Sequence, residues 1–143
     1  MKVEKTNVEL ISISSAAVSL LENKSLAGTK LESCIHSLLK QTNKLMGDYN
    51  EELEDINIEL CLVDKVFGKI LKDEKGNYEF DKEGILKKKE KVKELLEKKV
   101  TLNSRILEAN AEHIKDMSRF QIEHLSGLII PAQEDFESQF DDE

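Results

Sequence analysis

Few side chains in this sequence could do chemistry, and their spacing limits what they can do. The histidines are His36, His113 and His124, and the cysteines are Cys34 and Cys61. A zinc ion needs ligands gathered at spacings such as His-x-x-x-His or Cys-x-x-Cys, and neither spacing occurs. On one helix His113 and His124 could share a face, but about 16 Å apart, too far for joint coordination. Cys34 lies two residues before His36, and on a helix such neighbours point away from each other, so the thiol gains no activating base. The acidic turn Asp73-Glu74-Lys75-Gly76-Asn77 lacks the repeated oxygen ligands and closing glutamate of a calcium hand. The glycines, at 28, 47, 68, 76, 84 and 127, are scattered, whereas a phosphate loop gathers them ahead of a helix. Carboxylates are plentiful, but acid–base catalysis needs an apolar pocket to shift their pKa values, and no stretch promises one. The expectation is a protein with no cofactor, no metal and no catalytic residues, which makes enzyme the weakest functional class.

Patterning is far more informative. From Thr29 to about Val63 apolar residues recur every three or four positions, at Leu31, Ile35, Leu38, Leu45, Tyr49, Leu53, Ile56, Leu60 and Val63. That period predicts one long amphipathic helix. Thr29 with Glu32 forms a capping box at its start. Gly47 is a soft spot, costing up to about 1 kcal/mol relative to Ala, where the rod could bend or split. Near-heptad rows (Leu31, Leu38, Leu45 and Ile35, Tyr49, Ile56, Val63) point to coiled-coil-like packing. Leu38, Leu45 and Ile56 are the expected anchors of a seam that meets a copy or a partner. Cys34 and Cys61 sit roughly 40 Å apart on this helix, so they are expected to be free buried thiols.

The rest of the chain supplies candidate cover for that seam. Thr6 and Glu9 fit a second capping box opening a helix from about Asn7 to Glu22, whose Ser14, Ser15, Ala16 and Ala17 would let another backbone approach closely. The Gly76-Asn77 turn between short apolar runs predicts a small β-hairpin at about 67–80, with 100–104 as a third strand. Asp81 can cap a helix over about 83–99, with Ile85, Val92, Leu95 and Leu96 facing inward. Its lysines, Lys87, Lys88, Lys89, Lys91, Lys93, Lys98 and Lys99, could meet phosphate or an acidic protein surface, or could form a solvated face with i,i+4 Glu–Lys pairs. Residues 106–130 predict a last helix, breakable near Asp116–Ser118.

The 143 residues contain one Pro, no Trp and 35% charged side chains, which favours a mostly helical globular chain. The fold class expected is mainly α (α+β): a long helix packed with two or three more, plus the hairpin or three-stranded sheet. Residues 1–130 read as one helix-rich domain and 131–143 as an acidic C-terminal tail. That tail holds six carboxylates and no Lys or Arg, so of the formal −8 only −2 is left for the rest of the chain. Clustered Lys and Arg of the kind that displaces counterions from duplex nucleic acid are missing, and nucleic acid is not an expected partner. Nor is a membrane, since no signal peptide or spanning stretch is read in the chain. Phe136 and Phe140, four residues apart in the tail, form a candidate docking motif of the helix-in-groove kind.

From about Leu31 to Ile130 the order of features resembles a family of small uncharacterised bacteriophage proteins. The resemblance rests on a long polar helix, then Asp73-Glu74-Lys75-Gly76-Asn77-Tyr78-Glu79-Phe80, then Leu95-Leu96-Glu97-Lys98-Lys99-Val100-Thr101-Leu102, then Leu125-Ser126-Gly127-Leu128-Ile129-Ile130. It implies phage origin, location in the host cytoplasm or the virion, and no catalytic residues. The first helix and the acidic tail depart from the pattern. The function expected is a non-enzymatic helical interaction protein, a small virion or assembly component whose partners are other virion proteins or itself. The alternative is a phage-encoded regulator or inhibitor that binds a host protein through acidic surfaces.

Overall fold

The computed structural model describes residues 1–106 and 115–131. It is mainly helical with one small antiparallel sheet, the class the patterning predicts. In order come β1 (Lys2–Thr6), α1 (Asn7–Leu21), α2 (Lys30–Leu60), α3 (Lys82–Glu97), β2 (Lys99–Asn103) and α4 (Arg119–Leu125). Where residues 1–130 read as one domain, the chain divides into two compact units, residues 1–46 with the chain from 99 onward, and residues 47–98. The acidic tail and residues 107–114 lie outside the described residues.

The first unit holds the main core. Thr6 ends β1 and caps α1: the Glu9 N–H donates to Thr6 Oγ1 at 3.2 Å, and the Thr6 N–H donates back to Glu9 Oε1 at 3.2 Å. That backbone donor, aided by the Thr6 hydroxyl and the Lys5 ammonium, holds the Glu9 carboxyl below its ordinary value. One face of α1 (Leu10, Ile13, Ala16, Ala17, Leu20) is wholly buried. α4 packs on α1, and Gln121 Nε2 donates to Ser19 Oγ at 3.0 Å; of the small residues, Ala16 and Ala17 are buried and Ser15 is exposed. The first half of α2 contributes Leu31, Cys34, Ile35 and Leu38 to the same core.

The strand expected at 100–104 is present as β2, but its partner is β1 and not the expected hairpin. β2 pairs antiparallel with β1, Val3 opposite Leu102 and Lys5 opposite Val100. Residues 67–80 do not join it. Leu102 is fully buried, so the alternating face of β2 is fixed by the core beneath it. Gln41 completes the β2 edge from α2, with Nε2 donating to the Asn103 carbonyl at 3.2 Å and Oε1 accepting from the Asn103 N–H at 2.8 Å.

Two further expectations are settled by local chemistry. α2 passes through Gly47 as unbroken helix, so the rod does not split there. The break expected near Asp116–Ser118 is present, and the short α4 starts there, capped by Ser118 with Gln121 in a capping box. Gly127, at φ 78°, then turns the chain, and Leu128, Ile129 and Ile130 enter the core as non-helical residues.

Candidate partner-binding surface

The second unit is built from the C-terminal half of α2, the connection 61–81 and α3. Two tight turns fold the connection. Asp64 N–H donates to the Lys69 carbonyl at 2.7 Å, and Asp73 N–H to the Asn77 carbonyl at 2.8 Å. They are closed by single bridges, Val63 with Ile70 and Lys72 with Tyr78, so the expected hairpin is a pair of pinched turns without a ladder. Tyr78 donates its phenol to Glu54 on α2, and that hydrogen bond to a carboxylate raises the Tyr78 pKa.

α3 runs back along α2 in antiparallel register. Gly84 meets the Leu60 carbonyl at its start, Lys91 pairs with Glu59 at 2.8 Å, and Lys98 pairs with Glu52 at 2.6 Å. These pairs are largely exposed, so they set register more than they stabilise. Leu95 is buried, and it lines a hollow of about 530 Å³ with Ile56, Glu52, Asp55, Glu94 and the two lysines.

The neighbouring face of α3 carries a second, more apolar groove of about 480 Å³. Its floor is Phe80, Ile85, Val92 and Leu96, and its rim is Lys88, Lys89 and Lys93. Lys88 Nζ stands 4.6 Å from the centre of the Phe80 ring, a cation–π contact that keeps the ammonium at the groove's mouth. Lys87 pairs with Glu83 at 3.0 Å, which holds its pKa above the ordinary value. Lys88, Lys89 and Lys93 have no carboxylate partner among the described residues. Ile85, expected inside, is 44% exposed, and Val92 and Leu96 are half-buried. α3 carries more apolar positions than one buried stripe requires, and the surplus forms this groove.

Burial separates the two units sharply. Of the 18 buried hydrophobic residues described, all but Cys61 and Leu95 belong to the first unit. Of the 13 exposed large hydrophobics described, eight lie in the second: Ile58, Val63, Val66, Phe67, Ile70, Leu71, Ile85 and Leu86. Of these eight, Ile85 lines the groove on α3.

The expected seam does not survive as one surface. Leu38 is 2% exposed in the first unit's core and has nothing to offer a partner. Leu45 is half-buried against that core, and Ile56 lies in the second unit beside Leu95. The heptad rows marked burial at Leu31, Ile35 and Leu38, where the cover comes from the chain itself, but Leu45, Tyr49 and Ile56 are only half-buried and Val63 is 48% exposed. Phe136 and Phe140 lie outside the described residues. The groove on α3 was missed, although Ile85, Val92 and Leu96 interleaved with Lys88, Lys89 and Lys93 are the signal that could have found it.

The remaining chemistry-bearing residues are dispersed. Both cysteines are free and buried. His36 is exposed, and His124 rests edge-on against Phe120 with ring centres 4.5 Å apart. Among the described residues no three His, Cys, Asp or Glu side chains are placed to share a metal ion, and no helix is long and apolar enough to cross a membrane. No protein-family model matches the chain, and neither a curated protein nor a solved structure does.

Proposed function

We propose that this chain is a non-enzymatic protein-binding component that offers the α3 groove to an acidic amphipathic helix, in the manner of a small phage virion or assembly protein acting in the host cytoplasm or the particle. The observation that carries the reading is the groove itself: an apolar floor of Phe80, Ile85, Val92 and Leu96 beside three lysines that lack carboxylate partners among the described residues. An apolar stripe flanked by carboxylates would fill the floor and neutralise the rim together.

The rival reading is a regulator whose acidic helix face imitates nucleic-acid charge. Asp48, Glu51 and Asp55 on α2 are exposed and favour it. Glu52, Glu54 and Glu59 on the same helix are engaged by Lys98, Tyr78 and Lys91, which weakens the anionic field such mimicry needs.

The test is a nuclear magnetic resonance titration of the full chain with a designed acidic helix bearing phenylalanines four residues apart. Shifts should concentrate on residues 80–96, weaken with added salt, and vanish in a variant carrying Ile85→Asp and Lys88→Glu. Shifts elsewhere, or binding that survives both substitutions, would overturn the reading.

A further inference from the structure

We propose that the occupant of the α3 groove is the acidic segment 132–143 of a second copy of this chain, so that copies join head to tail. The inference rests on the groove being a partner surface and adds what fills it. Charge is the first argument. The segment carries Glu134, Asp135, Glu137, Asp141, Asp142 and Glu143 with no cation of its own. The groove presents Lys88, Lys89 and Lys93, none with a carboxylate partner among the described residues.

Spacing is the second argument. Phe136 and Phe140 would share one face of a helix, with Glu137 and Asp141 beside them. Such a helix over the segment would be about 18 Å long, and the floor from Ile85 to Leu96 extends about 16 Å along α3. Two aromatic rings suit a floor that is largely apolar and only partly filled by Phe80, while the flanking carboxylates fall within reach of the rim. The interface is heterologous, because the segment of one copy meets a different surface on the next. It therefore closes into a ring, of which the reciprocal pair is the smallest, or runs on as an open row.

Sedimentation of the full chain over a range of concentrations tests this, with two variants made in the full chain. One carries Phe136→Ala and Phe140→Ala, the other Lys88→Glu and Lys93→Glu. The wild type should gain mass with concentration and lose it with salt. Each variant alone should associate at least about tenfold more weakly. Mixed, the two should form a one-to-one pair and nothing larger, since the first keeps an intact groove and the second an intact segment. That complementation also shows both variants to be folded. A wild type that stays monomeric at every concentration overturns the inference, whether the groove is empty or filled by the segment of the same copy. So does self-association that both variants retain. If the designed acidic helix still binds residues 80–96 while the wild type stays monomeric, the groove reading stands and only the identity of its occupant fails.

Discussion

Replacing Gly47 and Gly84 by alanine should move stability in opposite directions, although both glycines lie inside helices. At Gly47 an added Cβ meets nothing within 4 Å, and the residue is exposed in the middle of α2. The only effect left is helix propensity, so Gly47→Ala should stabilise by about 0.8–1 kcal/mol. At Gly84 the same Cβ would lie 3.0 Å from the Leu60 carbonyl oxygen, 3.0 Å from Asp81 Oδ1 and 3.6 Å from Phe80 Cβ. Neither oxygen can easily yield. The Leu60 oxygen is backbone, and Asp81 is held as the α3 cap by a 2.6 Å hydrogen bond from the Gly84 N–H. Overpacking of this kind costs about 1–3 kcal/mol, which exceeds the propensity gain and leaves a net loss of about 1 kcal/mol. Urea denaturation followed by circular dichroism, on both variants and the wild type, measures the two shifts as changes in midpoint at constant slope. A Gly84→Ala chain as stable as the wild type would refute the close approach of α3 to the end of α2. A destabilised Gly47→Ala chain would refute the unbroken rod.

Three other substitutions probe separate parts of the molecule. Leu38→Ala should cost about 2–5 kcal/mol of stability, as for other fully buried leucines; a Leu38→Ala chain with wild-type stability and weakened association would restore Leu38 as a partner anchor. Tyr78 should titrate later than an ordinary tyrosine, because its protonated form is the one that donates to Glu54. The stabilisation therefore exists below the ordinary tyrosine pKa and is lost as pH rises through the raised one, and Glu54→Gln should bring the titration back down in ultraviolet difference spectra. Glu9 is the opposite case: its lowered pKa gives stability present above the ordinary glutamate value and lost as pH falls through the lowered one. Thr6→Ala should cost about 1 kcal/mol of capping and lessen that acid sensitivity only in part, because the backbone N–H at position 6 still donates to Glu9; Glu9→Gln should remove it, read from urea midpoints across the acid range.

How much of this was legible in the sequence depended on the range of each interaction. Thr6 with Glu9, and the break near Asp116–Ser118, were readable because a cap is satisfied within three residues. The long helix was readable because its period is internal to it. β1 was not, since Lys2-Val3-Glu4-Lys5-Thr6 has one apolar residue and becomes a strand only against Leu102 and its neighbours, far along the chain. The division into two units was hidden for a related reason: an apolar stripe states that it must be covered and says nothing about what covers it. Leu31, Ile35 and Leu38 read like a seam for a partner, and α1, β2 and the 128–130 stretch had already met that need.

That last point also decides where a partner surface belongs. The first unit buries its apolar side chains so fully that a partner could gain little there, beyond scattered residues such as Val8 and Val18, each about half exposed. The second unit buries only Cys61, Gly84 and Leu95 among its described residues. So small a core gives little stability to set against the entropy of ordering α3 and the connection before it. Covering Ile85, Val92 and Leu96 would remove apolar area from water at about 25 cal/mol per Å², and it would do so on a helix already held in register by Gly84, Lys91 and Lys98. On the proposed reading the partner surface therefore belongs on α3, where Ile85 is 44% exposed and Val92 and Leu96 are half-buried. Leu31, Ile35 and Leu38 of α2 leave almost no apolar area to cover.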